Sequence, residues 1–488
     1  MASYPGFIGS QNPSASYMGD DELLLNMYAQ PTESQSAPAP WVLLPTPGYS
    51  ELSASAQQAP GRANFSENGR NFFIAGFAFY EYTDAGALTL RGTVAVDANP
   101  AQIVSNGAGG GQLGIVSGDH YYSYDLGTNT LTTVLASGAT QIGYLDGYFL
   151  VFDAATSTVQ VSNLLDGTVM NPVNVFQRTA GSDNWEAMFV VNRLIYLLGS
   201  KTSEVWWNAN VAAGQPFAPI QEAFSEFGIA APFSGAVDTS LTFLGQNANG
   251  RGIVYRMQGY APQRVSTHAV EVAIQGYSTI SDAVAGITQQ EGRPVYVLTF
   301  PTADKTHAFD EGTQLWHQRE FWDADAAESH ASRSMFFASL PTKSVSCDLR
   351  SGALFVIDPA VFTEADGSAI RRIRQAPRLS ADQKRFTVNS FQLVMDVGVG
   401  LPGVMQGPGV LGGGPEWDPQ VALQVSRDGG KTFGSERWAS AGKLGTFGTR
   451  VRWVMLGQSR NFVPKILFSA PVPFRICDAL VDVSVGAS

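Results

Sequence analysis

The sequence predicts an all-β protein whose largest part is a β-propeller of six or seven blades. Only 15% of the 488 residues are charged, whereas 11% are aromatic and 51 are glycines. Few charges with many glycines and aromatic residues suit short strands and tight turns better than helices. Apolar strand patterns also recur at intervals of about 35–55 residues, near the period of four-stranded propeller blades.

The repeated unit spans residues 61–375, and each copy is predicted to begin with an apolar or aromatic strand. These first strands are Phe72–Ala75, Leu113–Val116, Tyr148–Val151, Leu194–Leu197, Leu241–Leu244, Val295–Leu298 and Met335–Ala338. The return strands are Tyr121–Asp125, Val159–Ser162, Glu204–Trp207, Ile253–Arg256 and Thr306–Asp310. Radial stacking covers each sheet with its neighbours and leaves few open edges. A pair of long β-sandwiches is the alternative architecture.

Residues 1–60 are predicted to form an extended N-terminal arm, because frequent prolines interrupt any helix there. Two apolar segments in the arm, Leu23–Tyr28 and Trp41–Leu44, are each predicted to form a strand. The arm either follows the surface of its own chain or is a subunit-swapped or partner-docking segment.

An arginine-rich segment precedes a second domain, a C-terminal β-domain over residues 376–488. Arg371, Arg372, Arg374 and Arg378 are interpreted as part of a solvated linker or as a docking strip for an acidic partner or DNA. The C-terminal domain begins with an alternating strand, Phe386–Val397. The glycine-rich stretch 398–419 is longer than an ordinary loop, so we expect it to be mobile or ordered by a further contact.

A hairpin follows the glycine-rich stretch. Val421 to Ser426 alternates apolar and small or polar residues, as a half-buried strand does. The chain then reverses at Asp428 and Gly430, and Thr432 and Phe433 are predicted to start the return strand. Ser426-x-Asp428-x-Gly430-x-Thr432-Phe433 fits the Asp-box pattern of propeller proteins, sialidases among them, in which the aspartate and the aromatic residue fix a turn and catalyse nothing.

Further motifs surround this hairpin. They are Glu436–Trp438, Gly442–Gly445, Thr449–Trp453, Leu456–Gly457, Ser459–Arg460 and Pro471–Pro473, with Gly398–Leu401 and Asp418–Val421 before them. Near the N-terminus, Asn26-Met27-Tyr28 is followed by Thr46-Pro47-Gly48. Over about a third of the chain, these motifs resemble the packaged-DNA stabilisation proteins, the tail hub or nozzle proteins of short-tailed bacteriophages. Phe433 stands where that family has Trp, and Met27 where it has another aliphatic residue.

The resemblance implies a structural virion protein rather than an enzyme. It implies a homo-oligomeric ring, a hexamer, below the portal and its adaptor ring protein. Such a ring closes the DNA exit channel, continues it as a conduit for DNA ejection, and carries the tail needle or fibre proteins. Double-stranded DNA then passes through the lumen without sequence-specific binding. The expected location is the virion tail, after assembly in the host cytoplasm.

Charge is distributed unevenly along the chain. Residues 376–488 carry 12 Lys and Arg against 8 Asp and Glu, a net charge of +4. Residues 1–375 carry 18 against 34, a net charge of −16, which leaves −12 for the whole chain. An acidic protein disfavours tight binding to phosphates. An acidic channel wall repels the phosphates of DNA, so it offers no site at which the DNA is retained.

Cysteine usage and hydropathy are those of a protein assembled in the cytosol. Cys347 and Cys477 are the only cysteines, and we expect reduced core residues rather than a disulfide. The N-terminus has no positive segment followed by an apolar one, so we expect no signal peptide. No apolar run approaches about 18 residues, so no membrane span is predicted.

No motif predicts catalysis, a cofactor or a metal. Gly429–Thr432 resembles the end of a phosphate-binding loop, but Val425 stands where its first glycine is required. Two GxGxxG matches, 109–114 and 398–403, lack the helix that would hold a pyrophosphate. The five histidines, at positions 120, 268, 307, 317 and 330, lack metal-binding spacing. We interpret His307 and His317, which flank one predicted hairpin, as turn histidines rather than ligands.

The alternative function is a monomeric, sialidase-like propeller that binds or hydrolyses carbohydrate. The Asp box and the propeller both favour it. A sialidase needs arginines that clamp a carboxylate, a tyrosine nucleophile and an acid partner. No spacing in the sequence singles out such a cluster, so the structural protein is the function we predict.

Overall fold

Strands dominate the protein, as the sequence predicts. The computed structural model describes residues 1–13, 21–33, 39–54, 57–178, 180–210, 216–247, 250–382, 384–401, 404–407, 410–412 and 417–486. It is 56% strand and 3% helix, so the all-β class is confirmed.

The first five strands lie within the predicted arm. They are β1 (Ala2–Ser3), β2 (Leu23–Leu25), β3 (Met27–Pro31), β4 (Trp41–Pro45) and β5 (Gly48–Ser53). The segment Leu23–Tyr28 is therefore two strands rather than one. Asn26 separates them because its φ of 50° lies in the left-handed region, which a continuous strand does not enter.

Seven sheets make up the propeller in the described part of the chain. Blades 1 to 3 are β6–β9 (Gly61–Glu67, Arg70–Ala75, Ala78–Tyr82, Leu88–Thr93), β10–β13 (Gln102–Ser105, Gln112–Ser117, His120–Asp125, Thr130–Leu135) and β14–β17 (Gln141–Leu145, Tyr148–Asp153, Thr158–Asn163, Asp166–Gln177). Blades 4 and 5 are β18–β21 (Trp185–Val191, Leu194–Gly199, Ser203–Asn208, Phe217–Pro219) and β22–β26 (Gly228–Ile229, Ala236–Val237, Leu241–Asn247, Gly250–Gln258, Ala261–Arg264). Blade 6 is β27–β30 (Val284–Gln290, Arg293–Phe300, Lys305–Asp310, Leu315–Asp323), extended by β31 (Glu328–Ala331), and blade 7 contains β32–β34 (Ser334–Ser339, Ser344–Asp348, Leu354–Asp358). The helices are α1 (Gly107–Gly110) and α2 (His268–Gln275), with a 3₁₀ turn at Gln221–Ala223.

The N-terminal segment closes the propeller. β5 pairs antiparallel with β34, Ile357 opposite Tyr49, and so supplies the outer strand of blade 7. The inner strand of blade 7 packs on the inner strand of blade 1, so the ring of blades is complete.

The strands predicted to begin each unit are the second strands of blades 1 to 6 and the first strand of blade 7. The prediction therefore missed the innermost strands of six blades. Second strands such as β7 are covered on both faces, and Phe72, Phe73 and Ile74 are all fully buried. Innermost strands crowd together at the axis, and two of them contain a glycine in mid-strand, Gly143 and Gly286. A Cβ at Gly143 would lie 2.5 Å from Val190 of the next blade.

The second domain is a β-sandwich. Its later strands are β35 (Arg372–Gln375), β36 (Leu379–Ser380), β37 (Phe386–Met395), β38 (Val404–Gly407), β39 (Val410–Gly412), β40 (Gln420–Ser426), β41 (Arg437–Ser440), β42 (Val451–Ser459), β43 (Asn461–Phe468) and β44 (Ile476–Val485). One sheet has the order β3-β4-β44-β37-β42, with β1 paired to β44, and the other has the order β2-β35-β43-β40-β41, with β36 paired to β43. Tyr4, Phe7, Leu24 and Met27 from the N-terminal segment are buried in the core between the sheets.

The two domains are joined by a continuous sheet. β2 pairs parallel with β30 of blade 6 through Leu25 and Gln318, and antiparallel with β35 of the sandwich. The sandwich is therefore attached beside blade 6.

Part of the glycine-rich stretch is ordered by the chain itself. β38 and β39 pair antiparallel, and the Gly398 amide donates to the Ala441 carbonyl at 3.0 Å. Residues 402–403, 408–409 and 413–416 lie outside the described residues.

Candidate functional site

The predicted Asp-box residues form a network of hydrogen bonds at the end of β40. The Ser426 hydroxyl donates to Asp428 Oδ1 at 2.6 Å, and it accepts from the Gly430 amide at 2.8 Å. The Thr432 amide and hydroxyl donate to the two oxygens of Asp428 at 3.0 and 2.6 Å. Burial opposes ionisation of Asp428, but these hydrogen bonds outweigh it and hold the pKa of its carboxyl well below the usual value. The side chain therefore stays charged and fixes the turn.

The return strand begins later than predicted. It is β41, which starts at Arg437, whereas Thr432 and Phe433 lie in an irregular segment. Phe433 is half-buried, and the Lys465 ammonium lies 5.0 Å from the centroid of its ring. Because four bonds to Asp428 and Ser426 define the turn, the chain reverses there without an immediate strand pair.

The arginine-rich segment is largely inside the protein. Arg374 is fully buried on β35, and its guanidinium contacts Glu22 Oε2 at 2.5 Å. It also donates to the carbonyls of Phe7 and Gly6 at 2.6 and 3.0 Å. Arg374 thus ties the N-terminal segment to the sandwich.

The other three arginines lie in different surroundings. Arg372 is fully buried and donates to the Ile370 carbonyl at 3.3 Å, and burial lowers the pKa of its guanidinium to about 10. Arg371 pairs with Glu320 at 2.7 Å and stacks 3.7 Å from the centroid of the Trp322 ring. Arg378 is half-buried. A docking role for the segment stays a prediction, and only Arg371 and Arg378 have partly exposed side chains for it.

The sequence reasoning missed a second group of arginines at one end of the sandwich. Arg385, Arg427 and Arg460 line a surface cavity of ≈ 520 Å³, together with Gln458, Ser459 and Asn461. All three arginines are exposed, and no described carboxylate lies within ion-pair distance of them. Arg385 and Arg427 are 42 residues apart in sequence, and Arg427 and Arg460 are 33 apart. No local sequence pattern therefore reveals that the folded chain brings them together.

The axis of the propeller is an uncharged cavity. Inner strands of all seven blades line ≈ 510 Å³, including Asn64, Tyr144, Phe189, Phe336 and Phe337. None of the lining residues is charged. Polar ligands that need an ionic partner would find none here.

The buried histidines lie on opposite faces of one sheet. His307 pairs with Gln318, and His317 pairs with Ala308. Because neighbouring residues of a strand point to opposite faces of the sheet, the two histidine rings lie on opposite faces. Gln11 Nε2 lies 3.0 Å from His307 Nδ1, and the Tyr277 hydroxyl lies 2.7 Å from Nε2. Burial lowers the pKa of His307 to about 4.

The two cysteines are not joined in a disulfide. Cys347 is buried and Cys477 is half-buried. Within the described ranges, no three His, Cys, Asp or Glu side chains are arranged to hold a metal ion. Across the same ranges, none of the helices has the length and hydropathy to cross a membrane.

Two family models match the chain in tandem. The model described as bacteriophage P22 Gp10, β-propeller, matches residues 8–361, and the model described as bacteriophage P22 Gp10, β-sandwich, matches residues 371–484. The chain belongs to the bacteriophage P22 Gp10 family. This confirms both the relation to packaged-DNA stabilisation and tail hub proteins and the predicted propeller with a C-terminal β-domain. Proteins of the P22 Gp10 family are structural components of the phage tail.

Other comparisons are less specific than the P22 Gp10 match. A search of curated proteins gives no significant match. A virginiamycin B lyase from Staphylococcus aureus is 10% identical, with a TM-score of 0.43, and covers 64% of this chain and 98% of its own. The match to the Nup159 N-terminal domain has 10% identity and a TM-score of 0.41, and it covers 69% of this chain and 98% of that domain. The match to the Neurospora crassa Pan2 WD40 domain has 9% identity and a TM-score of 0.40, and it covers 64% of this chain and 96% of that domain. Similarities this low say nothing about function.

Proposed function

We propose that this chain is a structural, non-enzymatic ring component of the tail of a short-tailed bacteriophage. Six copies form a ring below the portal and its adaptor ring, close the DNA exit channel and continue it as a conduit. The ring also carries the tail needle or fibres, and it assembles in the host cytoplasm. The observation that carries the proposal is the tandem P22 Gp10 match over both domains, residues 8–361 and 371–484.

The size of the propeller axis supports a conduit formed between copies rather than within one. The axial cavity has a volume of ≈ 510 Å³, and large side chains such as Phe336 and Phe337 line its wall. The major groove of B-DNA alone is about 12 Å wide, so a duplex does not fit in this space. DNA that passes through the assembly therefore needs a lumen enclosed by several chains.

The join between the domains supports the role of a stiff wall. β2 hydrogen-bonds to both β30 and β35, so one sheet runs from the propeller into the sandwich. Asn26 adds side-chain hydrogen bonds to Glu320 and to the Arg371 carbonyl across the same join. A hinge at this join would have to break backbone pairs and buried side-chain bonds together.

The charge of the propeller half supports a lumen that does not hold DNA. Residues 1–375 have a net charge of −16. Binding to DNA strengthens with the number of Lys and Arg that meet phosphates, and excess carboxylates reverse that attraction. A conduit must release the duplex at every step of ejection.

The test is the size and place of the assembled protein. Purified full-length chain is mixed with the adaptor ring protein, and its mass is measured by native mass spectrometry and its position by imaging of particles. We expect about six times the 52.1 kDa of one chain, bound as a ring below the adaptor. A chain that stays monomeric with the adaptor, or is missing from particle tails, would contradict the proposal.

One observation favours the alternative of a carbohydrate-binding propeller. A cavity of ≈ 330 Å³ beside blade 6 is lined by Trp322, Trp438, Arg371 and Glu436. Arg371 stacks on Trp322, but Trp438 is 57% exposed, and an exposed indole ring with polar neighbours is suited to stacking on sugars. Screening of the full chain against a glycan array, with Trp438→Ala as the matched variant, tests it. Retention of a glycan by the wild type but not by the variant would support binding. The arginine-lined cavity has no tyrosine or carboxylate among its lining residues, so it lacks the groups of a sialidase site.

A further inference from the structure

One sector of the propeller contains no cationic residue. Between Arg91 and Arg178 the sequence has no Lys or Arg and no Glu, and its charges are six aspartates. They are Asp97, Asp119, Asp125, Asp146, Asp153 and Asp166. The region includes the whole of blades 2 and 3, β10 to β17. We call these two blades the acidic sector.

Several of these aspartates are fixed in turns at the surface. Asp125 accepts from the amides of Gly127 and Thr128 at 2.9 and 2.7 Å. Asp153 accepts from the Ala155 amide at 2.9 Å. Hydrogen bonds from its turn lower the pKa of Asp125. The charge of Asp125 is therefore permanent at neutral pH, and the carboxylates of Asp125 and Asp153 are held in fixed positions. Asp97 and Asp146 are paired with Arg62 and Arg193 of the neighbouring blades, at 2.5 and 2.8 Å, so the surplus negative charge of the sector lies on the other four aspartates.

The acidic sector also has an apolar outer edge. The hairpin of β16 and β17 exposes Leu164, Leu165, Val169 and Val173, and Val173 is 80% exposed. β17 is the outermost strand of blade 3 and contains one charged residue, Asp166. Pro172 and the irregular pairing with β16 protect its backbone from addition of a further strand. Its apolar side chains nevertheless form a surface suited to burial in an assembly.

The acidic sector and the sandwich lie on opposite sides of the ring. The sandwich is attached at blade 6 through β2 and β30. In a ring of seven blades in chain order, blades 2 and 3 are each three positions from blade 6. The sandwich is thus attached on the far side of the ring from the acidic sector of its own chain.

The sandwich has a surface of the opposite charge. Arg385, Arg427 and Arg460 are exposed around one cavity and have no described carboxylate at ion-pair distance. We call this cavity the basic end. It is formed by the start of β37, the end of β40 and the turn between β42 and β43.

We propose that the basic end of one copy docks on the acidic sector of a second copy, head to tail. The inference rests on the proposed ring and names the two surfaces that form it. Different surfaces on opposite sides of one chain give a heterologous contact, which is the type that closes into rings. Opposite charges orient the approach, and the apolar hairpin of β16 and β17 is buried at the contact.

DNA is the competing occupant of the basic end, and the charge pattern favours a second copy. A DNA site would explain the three arginines but not the absence of every cation from two neighbouring blades. A contact between copies explains both surfaces with one partner. It also predicts that one chain carries everything the interface needs.

The test is a charge swap in the full-length chain. The basic end is reversed by Arg385→Glu, Arg427→Glu and Arg460→Glu, and assembly is measured by analytical ultracentrifugation at about 50 mM and about 500 mM NaCl, where screening differs strongly. We expect the wild type to assemble at low salt and the reversed variant to associate roughly 100-fold more weakly, since paired charges become repelling ones. Adding Thr132→Lys and Val173→Lys, at exposed positions of the acidic sector, should restore assembly of the reversed variant.

The matched control applies the same charge change elsewhere. Lys201→Glu, Arg251→Glu and Lys305→Glu are exposed on blades 4, 5 and 6, and assembly should be unchanged. A wild type that does not self-associate even when the adaptor ring protein is present overturns the ring itself. Normal assembly of the reversed variant overturns the docking surfaces and leaves the ring standing. Loss of binding to a fluorescent DNA duplex with assembly intact would assign the basic end to phosphates instead.

Discussion

Replacement of Asn26 should weaken the join between propeller and sandwich more than any single exposed change. Its side chain is buried and makes three hydrogen bonds. Nδ2 donates to the carbonyls of Glu320 and Arg371 at 3.1 and 2.9 Å, and Oδ1 accepts from the Glu320 amide at 3.0 Å. Its own carbonyl accepts from the amide and hydroxyl of Thr46 at 3.1 and 3.2 Å.

The size of the effect follows from these contacts. Asn26→Ala removes the side-chain partner of three part-buried backbone groups, and each group left unsatisfied costs about 1–3 kcal/mol. Some of them recover a partner through water, so we expect a total loss of about 3–4 kcal/mol. Alanine is also strained at a φ of 50°, by about 1 kcal/mol. Asn26→Gly removes the same side-chain hydrogen bonds, but glycine adopts a positive φ without strain. It should therefore be about 1 kcal/mol less destabilising than Asn26→Ala.

The assay is urea unfolding followed by tryptophan fluorescence, with Asn389→Ala as the matched control. Asn389 is exposed on β37 and donates one hydrogen bond, to the Ser484 hydroxyl at 2.8 Å, so its loss should cost under about 0.5 kcal/mol. If Asn26→Ala unfolds within about 1 kcal/mol of the wild type, or if the glycine variant is the less stable of the two, the account of this residue fails.

Three further measurements test individual sites. Asp428→Ala should lower the free energy of unfolding by about 1–3 kcal/mol at pH 7, and the difference should shrink as the pH falls below about 4, because a carboxyl with a depressed pKa stabilises only while ionised; an unchanged midpoint at pH 7 would rule out its role in the turn. His307 has a pKa of about 4 in the folded protein, so NMR should show a neutral imidazole in the native state at pH 5. Stability should be lost as the pH falls from about 6.5, the pKa in the unfolded chain, towards 4, because the unfolded chain binds the proton more tightly. A titration midpoint near 6.5 for His307 in the folded protein would refute its buried placement. Iodoacetamide should modify half-buried Cys477 before buried Cys347, with Cys347 labelled only on unfolding; equal rates would contradict the packing.

Within the propeller, the sequence predicted the second strands, which are buried on both faces, and missed the innermost strands of six blades. Phe72–Ala75 and Val295–Leu298 are continuous apolar runs, because neighbouring blades cover both sides of a second strand. The inner strand β27 contains Gly286 and lies against Phe337 of the next blade, so its composition signals close approach rather than a strand. The local pattern of apolar residues indicates which strands are buried. The composition of the inner strands depends instead on contacts with neighbouring blades, whose residues are distant in sequence.

The sites show the same division. The network of Ser426, Asp428 and Thr432 is readable because its partners are at most four residues apart. The environment of Arg374 was not readable, since its partners, Phe7 and Glu22, precede it by more than 350 residues. The family motif at Asn26-Met27-Tyr28 marked this long-range junction without showing what it contacts. A motif that stands out by resemblance alone can thus mark a residue whose partners lie in two other segments.

The N-terminal segment sets the order in which this chain can complete its fold. β5 must pair with β34, about 300 residues later, before the ring of blades closes, and β2 must wait for β35 before the sandwich core covers Leu24. Contacts so distant in sequence carry a high entropic cost of closure and make folding slow. Tyr4 and Phe7 remain exposed until the strands of the sandwich are synthesised, and blade 7 remains incomplete until β34 is synthesised. A fragment that begins at residue 61 would lack the closing strand of blade 7, so we propose that the first 53 residues are integral to both domains and that neither domain is complete without them.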